Sequence, residues 1–194
     1  SLLSVRYALY SEYIPNTDLV NYIQESGGTY LYENLYTLPL GFVLPYDLAD
    51  NWQYQMENPA EVQNDLCLLL GTDDVLVPVE TEVSGSGCTF TADMAGEYYV
   101  YIQNKKVKNV KASLPSGEKN FSNVDRGYLL EMGNLSEGSR ITLTPGESGE
   151  TLTAAVYRFS PRAMIQVYDR LSQSPLHLDS WRDTKLTGTV TAAE

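Results

Sequence analysis

Apolar and polar residues alternate along most of the chain, and this period of two predicts β-strands. In residues 4–10, Val5, Tyr7 and Leu9 share one side of such a strand. Residues 19–36 form two alternating runs around Gly27-Gly28, a pair that accepts the positive φ angles of a tight hairpin turn. From Val75 onward, short alternating runs are separated by turn residues, a pattern typical of an antiparallel sandwich or barrel.

Two segments have a helical period instead, at about 58–70 and 161–173. The first carries an apolar stripe between the N-terminal and C-terminal signals of a helix. These signals are an N-cap, a first-turn proline, an acid three residues after the cap and a terminal glycine, namely Asn58, Pro59, Glu61 and Gly71. The second follows Ser160-Pro161, another cap and first-position pair.

The segment Tyr32–Pro45 (YENLYTLPLGFVLP) combines a strand-like pattern with two prolines and a glycine. Pro39 removes a backbone donor, so regular pairing stops there, and Gly41 permits a bulge or a close backbone approach. We expect an edge strand whose residues Leu40, Phe42 and Leu44 still face the core. Its role would be architectural.

The fold predicted is therefore mainly β with a minor α contribution. It is an antiparallel, jelly-roll-like sandwich with an N-terminal hairpin and two helices. We expect a hairpin-plus-helix lobe over 1–74 and a sandwich with an inserted helix over 75–194, together forming one compact unit. No composition shift is strong enough to mark a linker, and the two candidates are residues 71–80 (GTDDVLVPVE) and the helix near 161–173.

Composition narrows the possible partners. The 194 residues carry a net charge of −12, which disfavours nucleic acid, because neutralisation of phosphates dominates that binding. The 15 tyrosines favour pleated, half-buried surfaces and surface recognition.

Few residues suggest catalysis or metal binding. The single histidine is His177, and the chain has no Gly-x-Ser-x-Gly nucleophile elbow with which it could perform serine–histidine catalysis. Paired zinc-ligand spacing is also absent. Chance pairs among 25 acids say little about glycosidase chemistry, which needs two facing carboxylates. We predict no metal, no cofactor and no catalytic residue. Cys67 and Cys88 form either a disulfide or two buried thiols.

Aromatic residues are the remaining binding signal. Trp52 and Tyr54 lie in DNWQYQMEN, before the first helix, and Trp181 lies in DSWRD. Exposed aromatic rings beside amide and acidic groups can stack sugar rings. The alternative is that these rings only pack in the core or at an edge.

Three segments, in this order along the chain, resemble the YfhO family of bacterial multi-spanning membrane proteins. They are LLSVRYALY, YLYENLYTLPLGFVLP and NPAEVQNDLCLLLG, and the closing AMIQVYDRLSQSPLHLDSWRDTKLTGTVTA is also similar. The matching positions are Leu2, Leu3, Val5, Tyr7, Tyr32, Asn34, Leu38, Pro39, Leu40, Gly41, Phe42, Val43, Asn58, Pro59, Glu61, Gln63 and Asn64.

The resemblance implies a place and a function. Family members look like GT-C glycosyltransferases, which use lipid-linked sugars, and are linked to glycosylation of cell-wall polymers such as lipoteichoic acid. The chain would be a non-catalytic domain on the extracytoplasmic face of the cell membrane. It would bind or orient acceptor glycan, including teichoic acid, or contact its own transmembrane region. Two alternatives are a structural scaffold or lid without a ligand, and a surface glycoside hydrolase on a β-sandwich.

Overall fold

A computed structural model of the protein describes residues 5–182 and 184–191. The sequence expectations for Leu2 and Leu3 lie outside these residues. The helices are α1 Leu48–Asn51, α2 Pro59–Leu69, α3 Pro161–Leu171 and a short 3-10 helix, Val124–Arg126. The strands are β1 Tyr7–Tyr10, β2 Val20–Ser26, β3 Thr29–Asn34, β4 Leu76–Val79, β5 Glu82–Ser84, β6 Gly87–Thr91, β7 Gly96–Ile102, β8 Asn109–Leu114, β9 Gly117–Ser122, β10 Leu130–Leu135, β11 Arg140–Pro145, β12 Ala154–Phe159, β13 Leu176–Arg182 and β14 Lys185–Val190.

The chain divides into two compact units. The central unit is Trp52–Ser160, and the terminal unit joins Ser1–Asn51 with Pro161–Glu194. This division differs from the predicted boundary at residue 74, because α2 belongs with the sandwich, and α3 with the hairpin β13–β14 belongs with the N-terminal sheet. None of these helices is long and apolar enough to cross a membrane, as far as the described residues show.

The central unit is a jelly roll, which confirms the predicted fold class. One antiparallel sheet has the order β10-β7-β12-β4 and the other has the order β5-β6-β11-β8-β9. Strands β4 and β6 to β12 follow the eight-strand jelly-roll order, in which the chain passes repeatedly between the two sheets. Strand β5 adds an edge through a hairpin with β6.

The core of the central unit lies between these sheets. Tyr98, Val100 and Ile102 alternate along β7 and are buried, and Ile141 and Leu143 of β11 are fully buried in the same cluster. A bulge between Glu131 and Gly133 of β10 shifts the register of its pairing with β7. The buried residues that alternate along these strands therefore face the space between the two sheets.

Of the two candidate linkers, residues 71–80 lie inside the central unit, whereas the segment near 161–173 begins where the chain passes from one unit to the other. Residues Leu76–Val79 form β4, an edge strand that pairs with β12. Leu76 is buried and Val79 packs against the core. Pro78 is tolerated in β4 because this strand lies at the edge of its sheet.

The terminal unit contains the predicted N-terminal hairpin. Strands β2 and β3 pair through Gly27 and Gly28, with φ angles of 59° and 77°, and β1 adds to β3. Both glycines therefore adopt the left-handed conformation of a tight hairpin turn. The unit also contains α3, which matches the second predicted helix, and the hairpin β13–β14.

The expectation for Tyr32–Pro45 is only partly met. After β3 ends at Asn34, the segment is irregular and makes one isolated bridge, from Phe42 to Pro175. Leu40 is 63% exposed, so it does not face a core as predicted. Gly41 does permit a close approach, because a β-carbon there would lie 3.0 Å from a side-chain atom of Leu176.

Candidate carbohydrate-binding site

Trp52 and Tyr54 lie together in the irregular segment before α2. Their ring centroids are 6.0 Å apart, with an interplanar angle of 60°. Trp52 is half-buried, and its indole Nε1 donates a hydrogen bond to the backbone oxygen of Val62, at 3.0 Å. Tyr54 is 58% exposed. The structure thus gives a fixed indole beside an accessible phenol ring, and neither ring is fully buried.

Polar groups surround this pair. The backbone nitrogen of Gln53 donates to Oδ2 of Asp65, at 2.7 Å, and this bond ties the loop to α2. Nε2 of Gln55 donates to the hydroxyl of Tyr54, at 3.3 Å. An apolar ring face next to amide, carboxylate and hydroxyl groups matches the requirements of a sugar ring. Sequence reasoning missed Asp65, although its position on the helix beside DNWQYQMEN was the available signal.

Trp181 lies elsewhere, on β13 in the terminal unit, and is 75% exposed. A bulge at Asp179 changes the register of the hairpin between Leu178 and Ser180. Because a bulge redirects the side chains that follow it, Trp181 and its partner Leu186 share a face with Leu178. The polar residues His177, Ser180, Thr187 and Thr189 occupy the opposite face. Trp181 therefore belongs to an exposed apolar stripe.

A groove of about 390 Å³ in the central unit is lined in part by Glu80, Glu82 and Asp93. Asp93 is already paired. Its Oδ1 accepts hydrogen bonds from the hydroxyl of Tyr98, at 2.6 Å, and from Nε of Arg158, at 3.2 Å.

Partial burial raises the pKa of Asp93, but the Tyr98 hydrogen bond and the charge of Arg158 outweigh it and lower the pKa below its usual value. A glycosidase general acid needs a raised pKa, so Asp93 is suited to structure. Among the described residues, no group of three or more histidine, cysteine or acidic side chains could hold a metal ion.

The two cysteines are free and buried, so the disulfide weighed in the sequence analysis is not formed. Cys67 is on α2, whereas Cys88 is on β6 and faces the core between the sheets. Burial raises the pKa of both thiols, and raises that of Cys88 to about 11. Neither thiol is suited to act as a nucleophile.

The residues around α2 that carry the resemblance have structural roles. Oδ1 of Asn58 accepts a hydrogen bond from Ala60 N, and its amide donates to Glu61 Oε1, at 3.1 Å, and to the hydroxyl of Tyr157, at 2.6 Å. Pro59 is the first helical residue and its backbone oxygen accepts from Nε2 of Gln63.

The amide of Asn64 bonds to both the backbone oxygen and the backbone nitrogen of Leu76, at 2.7 and 3.0 Å. Because Tyr157 alternates with the core residue Val156 on β12, these bonds hold α2 on the outer face of the four-stranded sheet. The predicted stop at Gly71 is also confirmed. Gly71 N bonds to Leu68 O and Thr72 N bonds to Cys67 O, which together form a Schellman motif.

The motif residues before α2 also support the backbone. The hydroxyl of Tyr32 is bonded to the backbone of Ile14, and the amide of Asn34 bonds to Val5 O and Tyr36 N. None of these side chains forms an exposed reactive group.

Comparisons with protein-family models, with curated proteins and with solved structures find no match for the chain.

Proposed function

We propose that the chain is a non-catalytic carbohydrate-binding domain. The observation that carries this proposal is the Trp52–Tyr54 pair, an exposed phenol ring beside a fixed indole and flanked by Asp65 and Gln55. The net charge of −12 repels polyanions, so uncharged sugar faces are the expected contact, even on a teichoic acid.

Titration with neutral and anionic glycans tests this proposal. The protein, labelled with nitrogen-15, is titrated with cellohexaose and with glycosylated lipoteichoic acid fragments. Amide signals of residues 52–55 and of Asp65 should shift with the sugar. The double variant Trp52→Ala, Tyr54→Ala should bind the glycan at least about tenfold more weakly, equivalent to about 1.4 kcal/mol.

A matched control is Tyr46→Ala, because Tyr46 is 98% exposed and lies outside the central unit. Its removal should leave the affinity unchanged. If no amide signal of residues 52–55 responds to either ligand, the pair does not bind carbohydrate and the proposal is wrong.

We further propose that the domain lies on the extracytoplasmic face of a multi-pass membrane protein of the YfhO type. The parent protein would be a lipid-linked sugar glycosyltransferase that acts on lipoteichoic acid. The support is that the motifs around Tyr32, Pro39 and Asn58 resemble those of the YfhO family and follow in the same order along the chain. In intact cells, a Tyr46→Cys variant of the parent, with any cysteines outside this chain replaced, should react with a membrane-impermeant maleimide, since Cys67 and Cys88 are buried. Labelling that requires lysis would contradict this location.

A structural scaffold is the second candidate, and the exposed apolar stripe on the hairpin β13–β14 favours it. Leu178, Trp181 and Leu186 are all exposed on one face of this hairpin. Exposed apolar faces of this kind mark protein contacts. A scaffold role predicts that Trp181→Ser with Leu186→Ser impairs assembly of the parent protein while carbohydrate binding by the isolated domain is unchanged.

A further inference from the structure

Five tyrosines form one cluster on the terminal unit, and none of them belongs to the Trp52–Tyr54 pair. The strand register places Tyr10 opposite Tyr30 and Tyr22 opposite Tyr32, so all four share one face of the sheet β1-β3-β2. Tyr13, in the loop between β1 and β2, covers this face. We call these five residues the tyrosine platform.

The rings of the platform contact one another edge to face. Tyr13 lies 5.6 Å from Tyr22 and 5.9 Å from Tyr30, and Tyr32 lies 5.4 Å from Tyr10 and 5.7 Å from Tyr22, all measured between ring centroids. The interplanar angles are 65° to 88°. Such contacts are the preferred arrangement of aromatic pairs, so they fix the rings relative to one another.

The loop that carries Tyr13 is held in place. The hydroxyl of Tyr32 donates to the backbone oxygen of Ile14, at 2.7 Å, and accepts from its nitrogen, at 2.6 Å. Oδ1 of Asn16 accepts from the nitrogen of Tyr22, at 2.7 Å. Tyr32 is fully buried, so it anchors the loop. A held loop lowers the entropy that a ligand must remove on binding.

The outer rings of the platform remain accessible. Tyr13 is 57% exposed and Tyr10 is 40% exposed, whereas Tyr22 and Tyr30 are half-buried. The register also places Glu25 on this face, opposite Tyr30, with its Oε1 accepting a hydrogen bond from Gly28 N. The surface therefore combines exposed ring area, phenol hydroxyls and a positioned carboxylate.

We infer that the tyrosine platform is a second carbohydrate-binding surface, which takes an uncharged pyranose on the exposed rings of Tyr10 and Tyr13. The hydroxyls of the sugar bond to the phenol hydroxyls and to the carboxylate of Glu25. The site is distinct from the proposed one, but the choice of ligand class rests on the proposed function.

The chemistry of the surface favours a sugar over a proline-rich peptide, the other ligand that docks on clustered aromatic residues. Proline has no backbone N–H, so a polyproline helix offers no donor to the phenol hydroxyls or to the second carboxylate oxygen of Glu25, whereas every sugar ring carries several hydroxyl donors. Anionic ligands are disfavoured by the net charge of −12. Desolvation, and then the charge of Glu25, raise the pKa of Tyr22, and its hydroxyl is a hydrogen-bond donor at neutral pH like that of other tyrosines.

The test uses the whole chain with ¹³C-labelled tyrosine and three separate probes, cellohexaose, chitohexaose and maltohexaose. At least one of these should shift the ring signals of Tyr10 and Tyr13. Tyr13→Ala should weaken that response at least about tenfold, and Tyr46→Ala should not change it. Tyr32→Phe should also weaken it, because this variant releases the loop without removing an exposed ring.

The design separates this site from the Trp52–Tyr54 pair. In the variant with both Trp52 and Tyr54 changed to Ala, the response of Tyr10 and Tyr13 should persist, even if the central pair proves not to bind. If Tyr13→Ala disturbs the sheet, seen as shifted signals of Tyr32, Tyr10→Ser replaces it. The inference is overturned if no hexasaccharide shifts the ring signals of Tyr10 and Tyr13, or if only a proline decamer shifts them. It is also overturned if Tyr13→Ala, or Tyr10→Ser in its place, binds the hexasaccharide as tightly as the unchanged chain.

Discussion

Replacement of Asn58 by Ala should destabilise the central unit more than the loss of a helix cap usually does. Asn58 is 5% exposed and makes three side-chain hydrogen bonds. One caps the first turn of α2 through Ala60 N, and another reaches the hydroxyl of Tyr157, which is also buried. The substitution removes both at once and leaves the hydroxyl without this partner.

The magnitude follows from these two losses. Replacing an Asn cap by Ala costs about 1 kcal/mol, and depriving a buried hydroxyl of its partner costs about 1 to 2 kcal/mol more. The expected loss of unfolding free energy is therefore about 2 to 3 kcal/mol. Asn58→Ser keeps a capping oxygen but loses the amide donor, so it should cost less than Asn58→Ala and more than a surface change.

Urea denaturation measures the effect. A Trp181→Phe background leaves Trp52 as the fluorescent reporter, since the chain has two tryptophans, and the Trp52 indole is bonded to α2 through Val62 O. A double-mutant cycle of Asn58→Ala with Tyr157→Phe should give a coupling energy of about 1 kcal/mol.

Two results would refute the reasoning. One is a loss below about 0.5 kcal/mol for Asn58→Ala, the range of an ordinary surface substitution. The other is a coupling energy near zero, which would show that the bond to Tyr157 does not contribute to stability.

Three further predictions concern the central unit. Asn64→Leu removes both bonds to the backbone of Leu76 and should lower the unfolding free energy by about 2 kcal/mol in the same urea assay; an unchanged midpoint would contradict it. Gly87→Ala would place a carbon 2.0 Å from the backbone oxygen of Leu143, so its thermal midpoint should fall by at least about 5 °C, and an unchanged melting curve would refute the clash. Burial raises the pKa of Cys88 to about 11. The buried, protonated thiol of Cys88 should therefore contribute fully to the unfolding free energy below the unfolded-state pKa of about 8.5, and this contribution should be lost as pH rises toward 11. A thiol reagent that labels Cys88 at pH 8 without denaturant would contradict this.

The sequence predicted local structure well where one short segment contained all of the signals. The cap Asn58, the first-turn Pro59 and the stop Gly71 defined α2, and the pair Gly27-Gly28 defined the hairpin of β2 and β3. Strand β4 falls within the β pattern predicted from Val75 onward, but it could not be singled out, because its apolar run is short and contains Pro78. It forms a strand because pairing with β12, far along the chain, supplies the hydrogen bonds.

The candidate site was identified in part. Trp52, Tyr54 and Trp181 stood out as aromatic residues in polar surroundings, but the sequence could not show that Trp52 and Tyr54 meet each other or that Trp181 lies in another unit. The bulge at Asp179 also could not be anticipated, because a change of register depends on the partner strand.

The sequence by itself determined the alternating strands, two helices with their ends, and an acidic, tyrosine-rich composition. These properties depend on neighbouring residues and on the period of the backbone. Only the tertiary structure decided the jelly-roll order, the position of α2 on the sheet and the grouping of five tyrosines on one face. Each of these requires contacts between residues distant in the chain, such as Asn58 with Tyr157 and Tyr10 with Tyr32. Packing and strand register select these contacts among many that the same local pattern allows.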